Sequence, residues 1–342
     1  MRPRSMVWSV LFLPLCFATA VLGAGLIGPL YDGPDLDYQP SILRVQPSGQ
    51  LLTVIERRNV GASTFDLVAS ASSDGGQSWS TPQPAISTPL NERHPSLVQT
   101  APNALALFYL VDETGAGAYR IHRATSADGL AWSDQGAINL GWSTPGEINP
   151  SVISEAGGAL TMTYHRINGP SYLARSLDGG ATWDTLKTQV SPGTAALPRV
   201  AKRASDGRYI VTYQVSGGSG SLAIYAKVSS DPYSWSAKQV AVATTANSHD
   251  SQPIVLENGT FVVFTAEQQG SDAFDLYYRT SQDGARWSKR VRVTNDPTHY
   301  DLQPHPILQG TPGHLILTWS HQQSATPYED HDIWINTDLV IQ

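Results

Sequence analysis

Acidic residues recur along this chain at one fixed offset from proline. Six proline-led phrases each head an apolar run: Gln39-Pro40-Ser41-Ile42, His94-Pro95-Ser96-Leu97, Asn149-Pro150-Ser151-Val152, Leu197-Pro198-Arg199-Val200, Gln252-Pro253-Ile254-Val255 and Gln303-Pro304-His305-Pro306. Three residues before each proline stand Asp37, Glu92, Glu147, Ala195, Asp250 and Asp301, five acids in six positions. Like charges gathered near one axis raise one another's pKa. Glycoside hydrolysis needs one carboxyl protonated and another ionised, so a ring of this kind suits that chemistry. An acid ahead of a proline is also an ordinary loop cap that accepts backbone N–H groups. By simple strand alternation the residue after each proline shares the parity of these acids. The phrase without an acid carries Arg199 there. The expectation is an acidic mouth with one inserted cation.

A second set of polar groups ends the apolar runs that follow: Glu56-Arg57-Arg58, Asp112-Glu113, His165-Arg166, Gln214, Glu267 and His321. These ends are expected to open on the same cleft, with Tyr300, Tyr328, His249 and His305 on neighbouring loops. Aromatic and hydroxyl groups around a charged cleft suit sugar rings, which offer apolar faces with polar rims. The catalytic candidates are Asp37, Glu147, Asp250, Asp301 and Glu267. The binding candidates are Arg93, Arg166, Arg199, Arg57, His165, His249, His321 and Tyr328. Histidines 249, 299, 305, 321 and 331 lie far apart in sequence without a fixed metal-ligand spacing. No metal or other cofactor is expected from them, and a calcium between carboxylates stays open.

The elements that position these residues follow from a repeat, the first thing to seek in such a chain. One phrase occurs five times: Ser72-Ser73-Asp74-Gly75-Gly76-Gln77-Ser78-Trp79, Ser126-Ala127-Asp128-Gly129-Leu130-Ala131-Trp132, Ser176-Leu177-Asp178-Gly179-Gly180-Ala181-Thr182-Trp183, Ser229-Ser230-Asp231-Pro232-Tyr233-Ser234-Trp235 and Ser281-Gln282-Asp283-Gly284-Ala285-Arg286-Trp287. Its aspartates are 54, 50, 53 and 52 residues apart. The phrase reads as a hairpin turn in which Asp accepts backbone N–H groups, Gly takes a positive φ and Trp packs back. The proline phrases supply six first strands, and each is followed by a second run such as Leu51 to Ile55 or Phe261 to Thr265. The sixth unit has no such turn, and its third strand, residues 332–337, almost reaches the C-terminus. Residues 25–30 are therefore expected to complete it, closing the sheet ring and removing an exposed edge.

The five turns resemble the Asp-box of sialidases and their relatives, and the resemblance spans residues 25–342. It implies an all-β, sialidase-like six-bladed β-propeller of four-stranded antiparallel blades, in one domain. It also implies that the boxes are scaffold, remote from the substrate. Sialidases hold the substrate carboxylate with three arginines, one of them in a Tyr-Arg-Ile-Pro phrase in the first blade. They use a Tyr–Glu nucleophile and an Asp acid/base. Here Asp37-Tyr38-Gln39-Pro40 stands in place of that phrase, so the first arginine is missing. Arg93-His94-Pro95 is a partial echo, Arg166 and Arg199 are further arginine candidates, and Glu267 could pair with Tyr328 or Tyr300.

Composition agrees with a turn-rich β chain. Of 342 residues, 41% are hydrophobic and 15% charged, with 29 Gly, 23 Pro, 9 Trp and 14 Tyr. The formal net charge of -7 and the lack of a basic cluster argue against a nucleic-acid partner. Arg2 and Arg4, an apolar run from Val7 to Phe17 and Ala18-Thr19-Ala20 read as a secretory signal over residues 1–24, too short to span a bilayer. Cys16 is the one cysteine and lies within it. The expectation is a secreted, monomeric, disulfide-free protein whose partner is carbohydrate, without a membrane partner. Its function is read as a sialidase-like exo-glycosidase, with a non-catalytic glycan- or protein-binding propeller as the alternative. A polysaccharide lyase using His and Tyr is a third reading.

Overall fold

The computed structural model describes residues 25–342 apart from 194, 217–220, 245, 271–272 and 323–329. The expected secretory signal and Tyr328 therefore lie outside the described residues. Among the described residues twenty-four strands form six four-stranded sheets. The first strands of blades 1 to 6 are Leu36–Arg44, Glu92–Ala101, Glu147–Ser154, Ala196–Lys202, Ser248–Val255 and Asp301–Leu308. In blades 1 to 5 the four strands are consecutive and antiparallel. Blade 6 takes its fourth strand from the other end of the chain. Ile27–Tyr31 pairs antiparallel with His331–Val340, with Gly28 opposite Ile335. The ring is thus closed by hydrogen bonds between its two ends, and no blade is left with an open edge at the join.

Packing between blades supplies the core. Leu52, Val54 and Leu67 of blade 1 cluster with Leu97, Leu107 and Tyr109 of blade 2. Phe264, Leu276 and Tyr278 of blade 5 cluster with Leu315, Leu317 and Trp319 of blade 6. Strands whose two faces both meet neighbouring blades are apolar along most of their length, as in Ala104–Asp112, where only the final Asp112 is polar.

The boxes join third to fourth strands, at the end of each blade away from the starts of the first strands. In the first, Asp74 Oδ1 accepts the N–H groups of Gln77 (3.0 Å) and Ser78 (2.9 Å), and Ser72 Oγ accepts that of Gly76 (2.9 Å). Trp79 Nε1 donates to the Gly76 carbonyl at 3.2 Å. The box glycine has a second duty. A Cβ on Gly129 would come within 2.3 Å of Leu52 Cδ2, so the turn of blade 2 lies flat on blade 1. The boxes are structural, as their resemblance implied.

The inner strands carry the feature that positions the site. Each is interrupted near its start by a bulge: pairing passes from Tyr38 opposite Glu56 directly to Ser41 opposite Val54. A residue at positive φ sits in every bulge: Gln39, His94, Asn149, Leu197, Asp250 and Gln303, with φ from 46° to 56°. None is glycine, and such a conformation costs roughly 1–3 kcal/mol where the surroundings enforce it. In blades 1, 2 and 5 they do, because the bulge N–H is taken by a side chain of the preceding blade. Gln303 Oε1 accepts from Gln39 at 2.9 Å, and Glu56 Oε2 accepts from His94 at 2.8 Å.

Candidate functional site

The bulge corrects two sequence expectations. An extra residue inverts alternation, so Asp37 and Ser41 lie on opposite faces of blade 1 rather than sharing one. Arg199 is therefore not on the face of the acids. In blade 5 the bulge residue is Asp250 itself, since pairing passes from His249 opposite Ala266 to Gln252 opposite Phe264. Pro253 lies two places late, and Ser251 holds the position that proline has in the other five blades. The residue in register with Asp37 is Ser248. The ring at that register is Asp37, Glu92, Glu147, Ala195, Ser248 and Asp301, with four acids instead of five, and all six are buried.

These acids are buried and bind groups chiefly on their own blades instead of lining an acidic mouth. Asp37 takes a bidentate pair from Arg57, Nε to Oδ1 at 2.7 Å and Nη2 to Oδ2 at 2.6 Å. Glu147 is 3.2 Å from Arg166 Nη1 and 3.5 Å from Arg120 Nη1. Asp301 Oδ1 accepts Trp319 Nε1 at 2.8 Å and contacts His321 Nδ1 at 2.7 Å. Glu92 bonds the Thr88 hydroxyl, its Oε2 has no partner, and burial pushes its carboxyl up to about 7. Glu267 is directly opposite Ser248 and is held by Arg279, by Arg290 at 2.7 Å and by Thr265 at 2.9 Å. Burial acts to raise its pKa, but Arg279 and the other donors outweigh that and hold it below the ordinary glutamate value. Tyr300 meanwhile stacks on Phe274 at 5.4 Å.

A recurring device emerges from these pairs. Arg57 is bonded to buried Asp37 and lies 5.4 Å over the Tyr31 ring. Arg93 is bonded to buried Glu56 at 2.7 Å and lies 4.4 Å over Phe65. Arg166 contacts buried Glu147 and lies 4.4 Å over Trp142. Each cation is thus fixed by a carboxylate and an aromatic ring, at the mouth ends of blades 1, 2 and 3. Arg93 is the most open, with 37% of its side chain exposed against 17% and 15% for Arg57 and Arg166. Its Nε makes no hydrogen bond.

The channel begins one residue further along the first strands. Tyr38, Arg93, Ile148, Ala196, His249 and Leu302 are all half-exposed. Below them a cavity of about 520 Å³ runs along the axis between the first strands, a volume fit for a small ligand. Its polar lining at the bulge level is Gln39, His94, Arg199, Asp250, Gln303 and His305. Burial raises Asp250 above the usual carboxylate range, although His249 and Arg199 act the other way. Burial also pushes His94 and His305 down to about 4, with Arg199 acting in the same sense on both. Burial lowers His249 too, and its Nε2 is buried without a hydrogen bond. The channel therefore holds imidazoles whose pKa burial lowers, beside one guanidinium and one carboxyl whose pKa burial raises.

Of the residues expected from sequence, Arg199 and Asp250 line this channel and Arg93 and His249 stand at its mouth. Asp37, Glu147, Asp301 and Glu267 lie behind it. His165 is half-buried opposite Ile148, and His321 packs on Trp334 at 4.3 Å. Sequence reasoning missed His94, Gln39 and Gln303 as lining residues and Glu56 as the anchor of Arg93. Glu56-Arg57-Arg58 marked the right strand end, but without the bulge nothing showed which side chains share a face. Tyr38, 4.5 Å from His331 and 5.9 Å from Phe65, was visible only as a replacement for a missing arginine.

Comparison with known proteins agrees with this architecture. The family model for the BNR repeat-like domain matches residues 38–214, and the chain belongs to that family. Among solved structures, a protein of unknown function from Dyadobacter fermentans superposes with a TM-score of 0.71 and 13% identity, over 92% of this chain and 98% of that one. A NanB sialidase variant from Streptococcus pneumoniae gives 0.73 and 13%, over 92% and 70%. An alpha-L-arabinanase from Penicillium chrysogenum, complexed with arabinobiose, gives 0.65 and 16%, over 93% and 98%. At these identities the likeness is one of fold. A search of curated proteins finds no match. Among the described residues no helix is long and apolar enough to cross a membrane.

Proposed function

We propose that this protein is a secreted, monomeric glycoside hydrolase that removes a terminal sugar bearing an anionic group at the channel mouth. The observation that carries the reading is the set of carboxylate-anchored arginines at the mouth of a propeller whose fold is shared with a sialidase and an arabinanase. In this reading Arg93 engages the anionic group, because it is the most exposed of the three arginines. Tyr38 and Phe65 flank it as apolar platforms for a ring. Asp250 is the acid, since its carboxyl lies in the channel and burial raises its pKa toward the working range of a proton donor. Residues 1–24 would direct export.

The test is a panel of aryl glycosides that includes a sialoside and uronides, with Asp250→Asn and Arg93→Ala beside the wild type. Hydrolysis that collapses in Asp250→Asn, and in Arg93→Ala only for anionic substrates, supports the proposal. Activity unchanged in Asp250→Asn removes that residue from the chemistry. A second reading, a glycan-binding propeller without catalysis, is favoured by the burial and pairing of Asp37, Glu147, Asp301 and Glu267. Binding of anionic glycans without turnover of any substrate in the panel would establish it.

A further inference from the structure

Two histidines of blade 6 and the loop before it, His299 and His321, converge at one place. His321 ends the second strand of blade 6 and is buried, and its Nδ1 is 2.7 Å from Asp301 Oδ1. Asp301 is itself fixed by Trp319 Nε1 at 2.8 Å. The imidazole is therefore locked with Nε2 as its remaining ligand atom. His299 lies two residues before the first strand of that blade, its ring 5.4 Å from that of His321. Asp296 Oδ2 is 2.7 Å from His299 Nδ1. One ligand atom from each of Asp296, His299 and His321 lies within 4.8 Å of the other two.

We propose that Asp296, His299 and His321 form a binding site for a divalent transition-metal ion of the zinc type. Two imidazoles and one carboxylate make a three-ligand set that leaves a coordination position for water. Imidazole selects zinc and its neighbours over magnesium and calcium, which favour all-oxygen shells. Tetrahedral ligation at ordinary bond lengths sets ligand atoms roughly 3.3 Å apart; here Asp296 Oδ2 and His299 Nδ1 are 2.7 Å apart and all three ligand atoms lie within 4.8 Å of one another. The adjustment falls on residues 293–299, which have no regular strand, while His321 is fixed in its strand. Asp301 then acts as the outer carboxylate that sets tautomer and ring orientation in carboxylate–histidine–metal triads. The open side faces solvent, since Asp296 and His299 each keep 29% of their side-chain surface exposed.

The protein contains its own control. His314 and Asp338 form another His–Asp pair, at 2.6 Å and with similar exposure, but with no third ligand among the described residues. The full chain, stripped with a chelator, is titrated with Zn²⁺ by calorimetry and with Co²⁺ by visible absorption. The proposal expects one equivalent of Zn²⁺ and an intense low-symmetry Co²⁺ spectrum. His299→Ala should weaken binding at least tenfold, and Asp301→Asn roughly 10–100-fold with the fold intact by circular dichroism. His314→Ala should change nothing. No uptake by the wild type, or equal losses in His299→Ala and His314→Ala, would overturn it.

Discussion

On the first strands of the blades, residues 37, 92, 147, 195, 248 and 301 are buried, whereas their immediate successors, Tyr38, Arg93, Ile148, Ala196, His249 and Leu302, are half-exposed. One step along a strand turns a side chain from one neighbouring blade to the other. The first ring sits where a polar group must be satisfied inside the protein, so its acids are matched with Arg57, Arg166 and the His321–Trp319 pair. The second ring is partly open, and the bulge beneath it meets the channel, where side chains can differ from blade to blade. The acids that repeat are therefore the ones that hold the scaffold. The residues that vary, Arg93, Asp250 and Arg199, are the ones placed to meet a ligand.

Substituting one member of each ring separates the two roles, and the largest effect belongs to the channel. Asp250→Asn should lower kcat on a cleaved glycoside by roughly 10²–10⁴-fold, the usual contribution of a positioned acid, with the melting temperature little changed. Arg57→Met should do the reverse. It leaves Asp37 buried without its cation, which costs about 3–5 kcal/mol, seen as a lower denaturation midpoint with kcat intact in the surviving folded fraction. If both variants lost activity in proportion to stability, the division between the rings would fail.

The division was only half legible in the sequence. The five boxes and six proline phrases carry their period in residue type, so blade number and box role could be read directly, and closure by residues 25–30 could be inferred; the strand is Ile27–Tyr31. The bulge has no such signature. Its positive-φ residue is Gln, His, Asn, Leu or Asp, and it is held by acceptors on another blade, such as Gln303 and Glu56. In blade 5 a serine occupies the proline position, so counting back from Pro253 gave Asp250 the wrong register while still selecting a channel residue. The sequence reading found no metal-ligand spacing among histidines 249, 299, 305, 321 and 331 for a similar reason: closeness of His299 and His321 comes from the fold, not from spacing.

Glu92 sharpens the comparison through pH. It belongs to the buried ring but has no cation, and burial raises its carboxyl to about 7, with Asp66 and Asp134 adding to the rise. A carboxyl with a folded pKa above its unfolded one stays protonated in the native state while the unfolded chain ionises. Its contribution to stability is thus complete below about 4.5 and is lost as pH rises toward about 7. His94, His305 and His331, pushed down to about 4 by burial, act oppositely, and their contribution is lost as pH falls from about 6.5 toward 4. Wild type and Glu92→Gln should therefore be compared at each pH. The wild type should lose midpoint relative to the variant between pH 4.5 and 7, and parallel curves would show that Glu92 titrates normally.

The smallest effect should come from the residue just past the bulge, where the strand faces the next blade. Ser41 Oγ accepts the Leu97 N–H at 3.0 Å, Ser96 Oγ that of Val152 at 2.9 Å, and Ser151 Oγ that of Val200 at 3.4 Å. These bonds tie each of blades 1, 2 and 3 to its successor, and Arg199 ends the series in blade 4. Ser41→Ala and Ser96→Ala should each cost about 1–3 kcal/mol, because a buried N–H loses its partner. Ser151→Ala should cost less, since its bond is the longest of the three. Chemical denaturation midpoints decide the order. Equal losses at all three positions would mean that packing between blades, not these hydroxyls, sets the register of the inner strands and the place of the channel residues.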